Sequence, residues 1–307
     1  MLIEIDGHRI EIARPEKWVW YAQRYTIVDL AKYYVAVWPW LLPHIEQRPL
    51  VYERYPGTID GPHSFEQDPP ADAPRWVRTA RVPGHERTVT YVIADSPATL
   101  VYLVSQFAVT LHIWESTMHA IESPDFLLLD LDPGDRCTLA HLAQTALLAR
   151  ERLAAIGLNN ALVKTSGARG LHVVVPIEPE FPYKDVRTFA KRVAEDVHLH
   201  DRRGVTLERD PHDRDPHTVY ADWGQVGRGM TVAAPYAARA CDGAPVSMPV
   251  PWSEIETFAR SRARKPPIET FKRYNIGNVP ELLRSRGDAW AGMRRVSLRG
   301  MANPGRR

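Results

Sequence analysis

An apolar stretch that ends in two acids constrains this chain more than any other feature. Residues 126–135 read FLLLDLDPGD, so a run of apolar residues leads into Asp130 and Asp132 with one leucine between them. Side chains alternate faces along a strand, and residues i and i+2 therefore project from the same side. Two negative charges at the edge of a buried strand are costly unless a cation compensates, and oxygen ligands suit Mg²⁺ or Mn²⁺. The stretch favours a metal site for phosphoryl transfer, although Pro133 and Gly134 would equally suit an ordinary surface turn.

A second candidate strand strengthens the metal interpretation. The run from Thr218 to Ala221 also leads into a carboxylate, that of Asp222. Three acids at the ends of two hydrophobic strands can hold two cations about 4 Å apart, one to lower the pKa of an attacking hydroxyl and one to stabilise a leaving pyrophosphate. The sequence therefore predicts that Asp130, Asp132 and Asp222 are both the catalytic residues and the metal ligands.

The segment between these two strands has the pattern of a β-hairpin with a Gly-rich turn. Residues 161–177 read ALVKTSGARGLHVVVPI. Gly167 and Gly170 permit the positive φ and the close approach with which backbone N–H groups can cradle phosphate oxygens, although an ordinary surface hairpin has the same pattern. Three polar side chains are expected at the tip or mouth of the hairpin, those of Ser166, Arg169 and His172.

A candidate phosphate ligand follows farther along the chain. The segment AAPYAAR ends in Arg239, seventeen residues after Asp222, where a returning strand can bring a guanidinium beside the same metals. Arginine is suited to bidentate phosphate contacts, whereas a lone arginine is more often only solvated.

Taken in order, these motifs resemble the archaeo-eukaryotic primase superfamily, and in particular the polymerase domain of bacterial ligase D and its stand-alone primase-polymerase relatives. The resemblance covers nearly the whole chain, and several motifs in the right order are far more specific than any one of them. The motifs are DGHRIEI (6–12), KYYVAVWPWLLPHIEQRPLVYERYPGTIDGPHSF (32–65), LHIWES (111–116), DLDPGD (130–135), TSGARGLHVVVPI (165–177), ADWGQ (221–225) and AAPYAAR (233–239).

The resemblance implies roles for individual residues. The three aspartates would hold two Mn²⁺ or Mg²⁺ ions of a nucleotidyl transferase, and Lys17, Arg54 and Phe65 would contact DNA. The expected nucleotide-binding residues are His112, Ser166, Arg169, Gly170, His172, Gln225 and Arg239. A histidine such as His112 on an apolar stretch is otherwise more often a satisfied core residue.

The chain departs from the family pattern where relatives bind a 5′-phosphate with two N-terminal lysines. Lys17 occupies the first position, but a gapless count places Ile27 at the second. Loss of one charge-assisted contact costs about 1.5 to 3 kcal/mol, so anchoring at a recessed 5′-phosphate is expected to be weaker unless Arg24 or Lys32 substitutes. Relatives also continue with a Tyr-Gln-Lys type sequence after Phe65, where this chain has Glu, Gln and Asp.

Two further segments leave alternatives open. Phe65 is a candidate platform for a templating base, since stacking is worth about 1 to 3 kcal/mol for any base, or it plugs the edge of a core. The segment HDRDPH (212–217) resembles a metal cluster only superficially, because its Asp-Pro steps favour turns and its histidines lack ligand spacing. We interpret it as a loop whose Arg209 or Arg214 contacts nucleotide or template.

Composition favours a large folded enzyme without a membrane segment. The 307 residues are 44% hydrophobic, which is enough for a sizeable core. No apolar run approaches the roughly 20 residues that span a bilayer, and the N-terminus carries acids where a signal peptide has basic residues, so we expect a cytoplasmic, nucleoid-associated protein with no membrane partner. Cys137 and Cys241 can form neither a disulfide framework nor a zinc module and are expected to be reduced packing residues.

Charge is distributed unevenly along the chain. From Pro251 onward there are thirteen Lys and Arg against five Asp and Glu, a formal charge of +8, which leaves −6 for the first 250 residues. A basic terminal segment can follow a phosphate backbone, or it can be a solvated helical face. The last fifteen residues, 293–307, are polar and Gly-rich, and we expect a frayed tail or the start of a linker.

The pattern of elements predicts an α+β fold, because strands and helices follow no strict β-α-β rhythm. The resemblance implies one primase-polymerase domain, 1–300, in which an RRM-like antiparallel catalytic sheet (about 111–250) packs with an N-terminal α/β portion (about 1–110), followed by a basic helical portion (251–300) and a tail (301–307). Ser96 and Thr138 are predicted N-caps, and Thr88 to Ala94 a strand. The predicted helices are Ile27 to Leu42, ending near Pro43, then Pro97 to Phe107, Thr138 to Ile156 with a stop at Gly157, Asp185 to His198, Trp252 to Arg264 and Val279 to Arg286.

The sequence thus predicts a DNA-dependent nucleotidyl transferase that adds nucleoside triphosphates to a 3′-hydroxyl of a primer-template or gapped DNA. The resemblance implies a preference for ribonucleotides and Mn²⁺, gap filling in end joining, and partnership with a separate DNA ligase and a Ku-type end-binding protein; no ligase KxDG motif occurs. The alternatives are a primase-polymerase without 5′-phosphate-anchored end joining, a non-catalytic nucleic-acid scaffold, and a phosphohydrolase that uses the same acids with water.

Overall fold

A computed structural model describes residues 1–84, 86–261 and 270–301 of the chain. It confirms the α+β class, with helices packed on largely antiparallel sheets. The chain forms two compact units, each built from discontinuous segments. The first comprises Met1–His119, Thr231–Ser247 and Tyr274–Asp288, and the second Ala120–Met230, Met248–Arg273 and Ala289–Arg307. The finer division at residues 110 and 250 stays a prediction.

The first unit is built around a sheet in the order β15-β9-β5-β8-β7, with β6 also paired to β5. Two small hairpins, β1-β2 and β3-β4, accompany it. Its strands are β1 (Leu2–Ile5), β2 (His8–Glu11), β3 (Trp18–Trp20), β4 (Tyr25–Thr26), β5 (Leu50–Arg54), β6 (Ser64–Glu66), β7 (Thr79–Pro83), β8 (Thr88–Val92), β9 (Ala108–Ile113) and β15 (Val232–Ala233). Its helices are α1 (Ile27–Ile45), α2 (Pro97–Ser105) and α6 (Val279–Arg286).

Helix α1 begins at a capping box and continues past the proline at which the sequence predicted its end. Thr26 Oγ1 accepts from Asp29 N at 3.2 Å, and Asp29 accepts from Thr26 N at 2.8 Å. The predicted stop near Pro43 is wrong, because burial of Ile45 and the bond from Glu46 N to Leu42 O at 2.9 Å, which spans the proline, stabilise the last turn.

The second unit carries a sheet in the order β13-β14-β10-β12-β11-β16, in which the β13-β14 pair is parallel and the other described pairs are antiparallel. Its strands are β10 (Phe126–Pro133), β11 (Leu162–Thr165), β12 (Leu171–Pro176), β13 (Val205–Thr206), β14 (Val219–Asp222) and β16 (Pro249–Val250), and its helices are α3 (Leu139–Ala155), α4 (Tyr183–His200) and α5 (Trp252–Ala259). Leu127, Leu129 and Leu131 of β10 are completely buried, so the apolar run of the sequence forms the centre of this core.

The other predicted helices are confirmed within two residues at each end, apart from the one that begins at Trp252. Ser96 and Thr138 cap α2 and α3 as predicted, accepting from Thr99 N at 3.3 Å and His141 N at 3.2 Å. The helix that begins at Trp252 ends at Ala259, earlier than predicted, and positions 262–264 of the prediction lie outside the described residues. None of the described helices is long and apolar enough to cross a membrane.

The predicted tail is wrong for its described part. Val296 pairs with Ile177 in a parallel bridge. Just before the predicted tail, the Trp290 indole, 5% exposed, donates to Val163 O at 3.0 Å. Val296 N donates to Pro176 O and Val296 O accepts from Glu178 N, so the backbone of this segment is bonded to the second unit. Positions 302–307 of the prediction lie outside the described residues.

Candidate active site

Strand register places a row of ionisable residues across one face of the second unit's sheet. Asp130 is directly opposite Asp222 on β14 and directly opposite His172 on β12, and His172 is opposite Lys164 on β11. Directly paired residues share a face, and so does Asp132, two residues along β10. The same-side prediction for the two acids therefore agrees with the register, and the hairpin of 161–177 is confirmed as β11 and β12.

Within this row the histidine and the first acid are in contact. His172 Nε2 lies 3.3 Å from Asp130 Oδ1, and the side chain of His172 is buried. Lys164, 1% exposed, is the next residue in the row, and the motifs in the sequence gave no indication of it. Buried charges persist where opposite charges compensate them, so a lysine in the same row as the acids reduces the cost of their negative charge.

The third acid is fixed by its own loop. Asp222 Oδ1 accepts from Gly224 N at 2.6 Å and from the Tyr220 hydroxyl at 3.2 Å, and Asp222 Oδ2 accepts from Gln225 Nε2 at 3.1 Å. Gln225, expected to bind nucleotide, thus orients Asp222 in this structure. The carboxylate retains lone pairs for a cation, since an ionised carboxylate has about four acceptor sites.

Asp132 lies at the mouth of a cavity of about 290 Å³ that is also lined by Arg169 and Arg214. Partial removal from water by the surrounding protein raises the pKa of Asp132 above its ordinary value, although the side chain still reaches solvent, and the charge of Asp222 raises it further. The charges of Arg214 and Arg169 act in the opposite direction. Arg169 also pairs with Asp135 at the rim.

The Gly-rich turn is folded around a serine hydroxyl. Ser166 Oγ accepts from the backbone N–H groups of Ala168 and Gly170, each at 3.1 Å. Gly167 has φ +74°, and a Cβ on Gly170 would lie 2.7 Å from Leu131 O and 3.3 Å from Asp132 Oδ1. Gly167 thus supplies the positive φ and Gly170 the close approach to β10. The two amides used by Ser166 are not turned outward to a phosphate in this structure.

The three aspartates have the chemistry of ligands for divalent cations, although the described side chains are not already arranged around an ion. Three carboxylates on one face of adjacent strands are the hard oxygen ligands that Mg²⁺ and Mn²⁺ prefer. A bound cation would oppose the burial and the charge of Asp222, which raise the pKa of Asp132. In the described parts of the chain, no three His, Cys, Asp or Glu side chains are already placed to hold a metal ion.

A second cluster lies within the first unit and contains two of the predicted nucleotide-binding residues. His112 Nε2 lies within hydrogen-bonding distance of Glu53 Oε1, at 2.7 Å, and the Tyr55 hydroxyl donates to Glu53 Oε2 at 2.8 Å. The charge of Arg239 acts on Glu53 as well. The segment that presents Arg239 is fixed by α1, because the hydroxyl of Tyr34 accepts from Ala238 N at 3.2 Å. Glu53, an acid within an apolar strand, was missed by the sequence analysis.

Phe65 does not fill a core. Its side chain is 59% exposed on β6, and its ring lies 5.6 Å from the His112 ring, centroid to centroid. The core-plug alternative is therefore wrong, and the role of Phe65 in stacking stays a prediction. Arg54, also expected to contact DNA, donates from Nε to Gln106 O at 2.8 Å.

The predicted phosphate anchor is recessed. Lys17 Nζ is buried 4.2 Å from the centroid of the Phe107 ring and, within the described part of the chain, has no hydrogen-bond partner. Burial and then the charge of Arg14 lower the pKa of Lys17. Ile27 N donates to Lys17 O at 3.1 Å, so the two positions are neighbours, but the Ile27 side chain is completely buried. Lys32 is exposed.

Two basic regions remain, the loop around Arg214 and the C-terminal segment, and several of their arginines contact other residues of the protein. The guanidinium of Arg214 lies 3.7 Å from the centroid of the Tyr220 ring and donates to the backbone of its own loop at Glu208 and Arg209. Several described arginines of the basic C-terminal segment form ion pairs, namely Arg273 with Glu254, Arg284 with Glu281, Arg295 with Asp125 and Arg299 with Glu180.

Comparison with known proteins decides the family. The family model "LigD, primase-polymerase domain" matches residues 26–290. The chain belongs to this family. It is 31% identical over 256 residues to the multifunctional non-homologous end joining DNA repair protein LigD of Mycobacterium tuberculosis (strain ATCC 25618 / H37Rv), covering 81% of this chain and 34% of that protein. The bifunctional LigD of Bacillus subtilis (strain 168) is 26% identical over 250 residues, covering 81% and 40%.

A solved structure agrees with the family assignment. The polymerase domain of Mycobacterium tuberculosis ligase D in complex with DNA superposes with a TM-score of 0.82 at 28% identity, covering 93% of this chain and 98% of that one. The chain, a LigD-type primase-polymerase domain, is a nucleotidyltransferase, and its family is metal-dependent. The scaffold and phosphohydrolase alternatives are thereby disfavoured. The chain spans about a third of the length of the first curated relatives it matches.

Proposed function

We propose that this domain extends a DNA primer by adding nucleoside triphosphates, preferably ribonucleotides, to the 3′-hydroxyl under the direction of a template. The observation that carries the proposal is the register that puts Asp130 and Asp222 directly opposite each other with Asp132 on the same face. Asp130, Asp132 and Asp222 would hold two divalent cations, Mn²⁺ or Mg²⁺. Such ions supply charge stabilisation for the attacking and leaving oxygens of an in-line displacement.

The chain's own residues would bind and orient the substrates. The side chains of His112, Ser166, Arg169, His172 and Arg239 are polar or cationic groups suited to triphosphate oxygens. Phe65 offers an exposed ring to a templating base. We further propose gap filling in end-joining repair, because the relatives named above are non-homologous end joining proteins; a ligase and a Ku-type protein would then be partners.

A second candidate function is favoured by the phosphate anchor. Ile27 is completely buried and Lys17 Nζ is covered by Phe107, so a recessed 5′-phosphate meets neither side chain unless Lys17 leaves the ring. We therefore propose, as the alternative, a primase-polymerase whose activity does not depend on the 5′-phosphate of a gap.

One assay tests both candidates. The protein is incubated with Mn²⁺, labelled ribonucleotides or deoxyribonucleotides, and gapped DNA that carries or lacks a 5′-phosphate at the gap. Extension that is stronger with the phosphate supports the end-joining role, and equal extension on both substrates supports the alternative. Absence of extension with every substrate, with Mn²⁺ and with Mg²⁺, contradicts the polymerase proposal.

A further inference from the structure

The buried acid Glu53 contacts His112, one of the proposed triphosphate ligands. Glu53 and His112 lie diagonally on neighbouring strands β5 and β9, whose register pairs Val51 with His112. Glu53 is only 6% exposed and His112 only 8%, and Glu53 Oε1 lies 2.7 Å from His112 Nε2. A carboxylate is rarely buried to this extent unless it is paired and hydrogen-bonded. The contact therefore merits a functional explanation.

The groups around Glu53 favour its ionised form. Burial acts to raise the pKa of Glu53, but the hydrogen bond and charge of His112, the charge of Arg239 and the Tyr55 hydroxyl outweigh burial and lower it. Glu53 is therefore a carboxylate at neutral pH, and an ionised carboxylate only accepts hydrogen bonds. It follows that His112 Nε2 carries a proton.

This arrangement decides which atom of His112 can serve a phosphate. With Nε2–H directed at Glu53, a hydrogen bond from the ring to a phosphate oxygen has to come from Nδ1. A ring that is protonated at both nitrogens is an imidazolium, which the adjacent carboxylate stabilises. Arg239 brings a second positive charge to the same cluster, and Glu53 offsets the repulsion between the two cations.

We propose that Glu53 is a positioning residue for triphosphate binding: it orients His112 and keeps the ring an imidazolium that donates from Nδ1 to a phosphate oxygen. The proposal rests on the proposed role of His112 in binding nucleotide. The ring of Phe65 lies tilted beside the His112 ring, with the centroids 5.6 Å apart. Glu53 itself touches no phosphate.

The test is the variant Glu53→Gln, which removes the charge of the side chain and keeps its shape. In Glu53→Gln, the amide oxygen can still accept from Nε2, but the ring loses its counter-charge. We expect KM for the nucleoside triphosphate to rise about tenfold, as for loss of one charge-assisted contact, while kcat changes less than about twofold. Binding of the corresponding nucleoside monophosphate should not change if the contact is to the distal phosphates.

Controls separate a positioning role from a merely structural one. Tyr55→Phe removes the other hydrogen bond to Glu53 and should change KM much less, and Glu4→Gln removes an exposed carboxylate and should change nothing. In the background of His112→Gln, Glu53→Gln should have no further effect on KM. Melting temperatures of all variants show whether any change in KM is a consequence of unfolding.

The outcomes distinguish this inference from the function on which it rests. If His112→Gln raises KM and Glu53→Gln does not, the role of Glu53 is refuted and the proposed function stands. If His112→Gln leaves KM unchanged while Asp132→Asn abolishes extension, His112 is not a triphosphate ligand, and the inference fails with that assignment. Should Glu53→Gln fail to fold, ¹⁵N NMR of the unaltered protein decides: we expect both ring nitrogens of His112 protonated at neutral pH, and a neutral ring overturns the proposal.

Discussion

At the scale of the single residue, partial burial and then the charge of Asp222 raise the pKa of Asp132 above its ordinary value. The same carboxylate is ordinary in the unfolded chain, so the folded protein binds its proton more tightly. Stability that depends on this group is therefore present at low pH and decreases as the pH rises through the raised pKa. A bound cation would favour the ionised carboxylate and so offset this loss of stability.

The first prediction follows for Asp132→Asn. Incorporation should fall by more than about 100-fold, because a metal ligand is lost, whereas the melting temperature of the metal-free protein at neutral pH should rise. Primer extension and thermal unfolding, in EDTA and in Mn²⁺, measure the two effects. Asp185→Asn, in the exposed first turn of α4, is the matched control and should do neither. Retention of extension by Asp132→Asn would contradict the assignment.

The second residue-scale prediction concerns Cys137, which was expected to be an inert packing residue. It is 5% exposed, and burial raises the pKa of its thiol to about 11. At pH 8 the thiolate fraction is then more than about 100-fold below that of an ordinary cysteine, so alkylation should be slowed by at least that factor. The rate with iodoacetamide is measured by mass spectrometry in a Cys241→Ala chain, native and urea-unfolded; equal rates in the two states would refute the prediction.

At the scale of the element, the hairpin of β11 and β12 shows what a sequence pattern does and does not determine. The apolar segments on either side predicted the strands, and the two glycines predicted the turn. The sequence did not show that Gly167 supplies the positive φ and Gly170 the close approach. The close approach of Gly170 is to Leu131 O, on a strand that lies elsewhere in the sequence. The contact of Glu53 could not be predicted for the same reason, since its partner His112 is 59 residues away in the sequence.

The third prediction belongs to this turn. In Gly170→Ala, the added methyl would lie 2.7 Å from the backbone oxygen of Leu131, between the two acids of β10, and backbone cannot move aside as a side chain can. We expect a loss of about 1 to 3 kcal/mol in the free energy of unfolding, together with reduced extension. Urea denaturation is the measurement. Gly57→Ala is the control, because no atom of the described residues lies within 4 Å of its added methyl, and an equal effect of both variants would contradict the argument.

At the scale of the whole molecule, the order of motifs was enough to predict the family and the α+β class, but not the course of the chain. Each compact unit takes its last segment from the C-terminal part of the sequence: 274–288 for the first and the stretch after 289 for the second. Local polarity made the last residues resemble a tail. Their pairing partner, Ile177, is more than a hundred residues away, and such pairing leaves no local pattern in the sequence.

The fourth prediction tests whether that segment is structural. Trp290 is 5% exposed and bonds to Val163 O, and Val296 exchanges backbone hydrogen bonds with the chain at Pro176 and Glu178. Trp290→Ala should therefore cost about 3 to 5 kcal/mol in the free energy of unfolding, and a chain ending at Asp288 should be less stable still. A chain ending at Met301 and the exposed variant Met293→Ala are the controls and should unfold at nearly the urea concentration of the full chain. A chain ending at Asp288 with unchanged stability would restore the tail interpretation, because it would show that these contacts contribute no net free energy to the second unit.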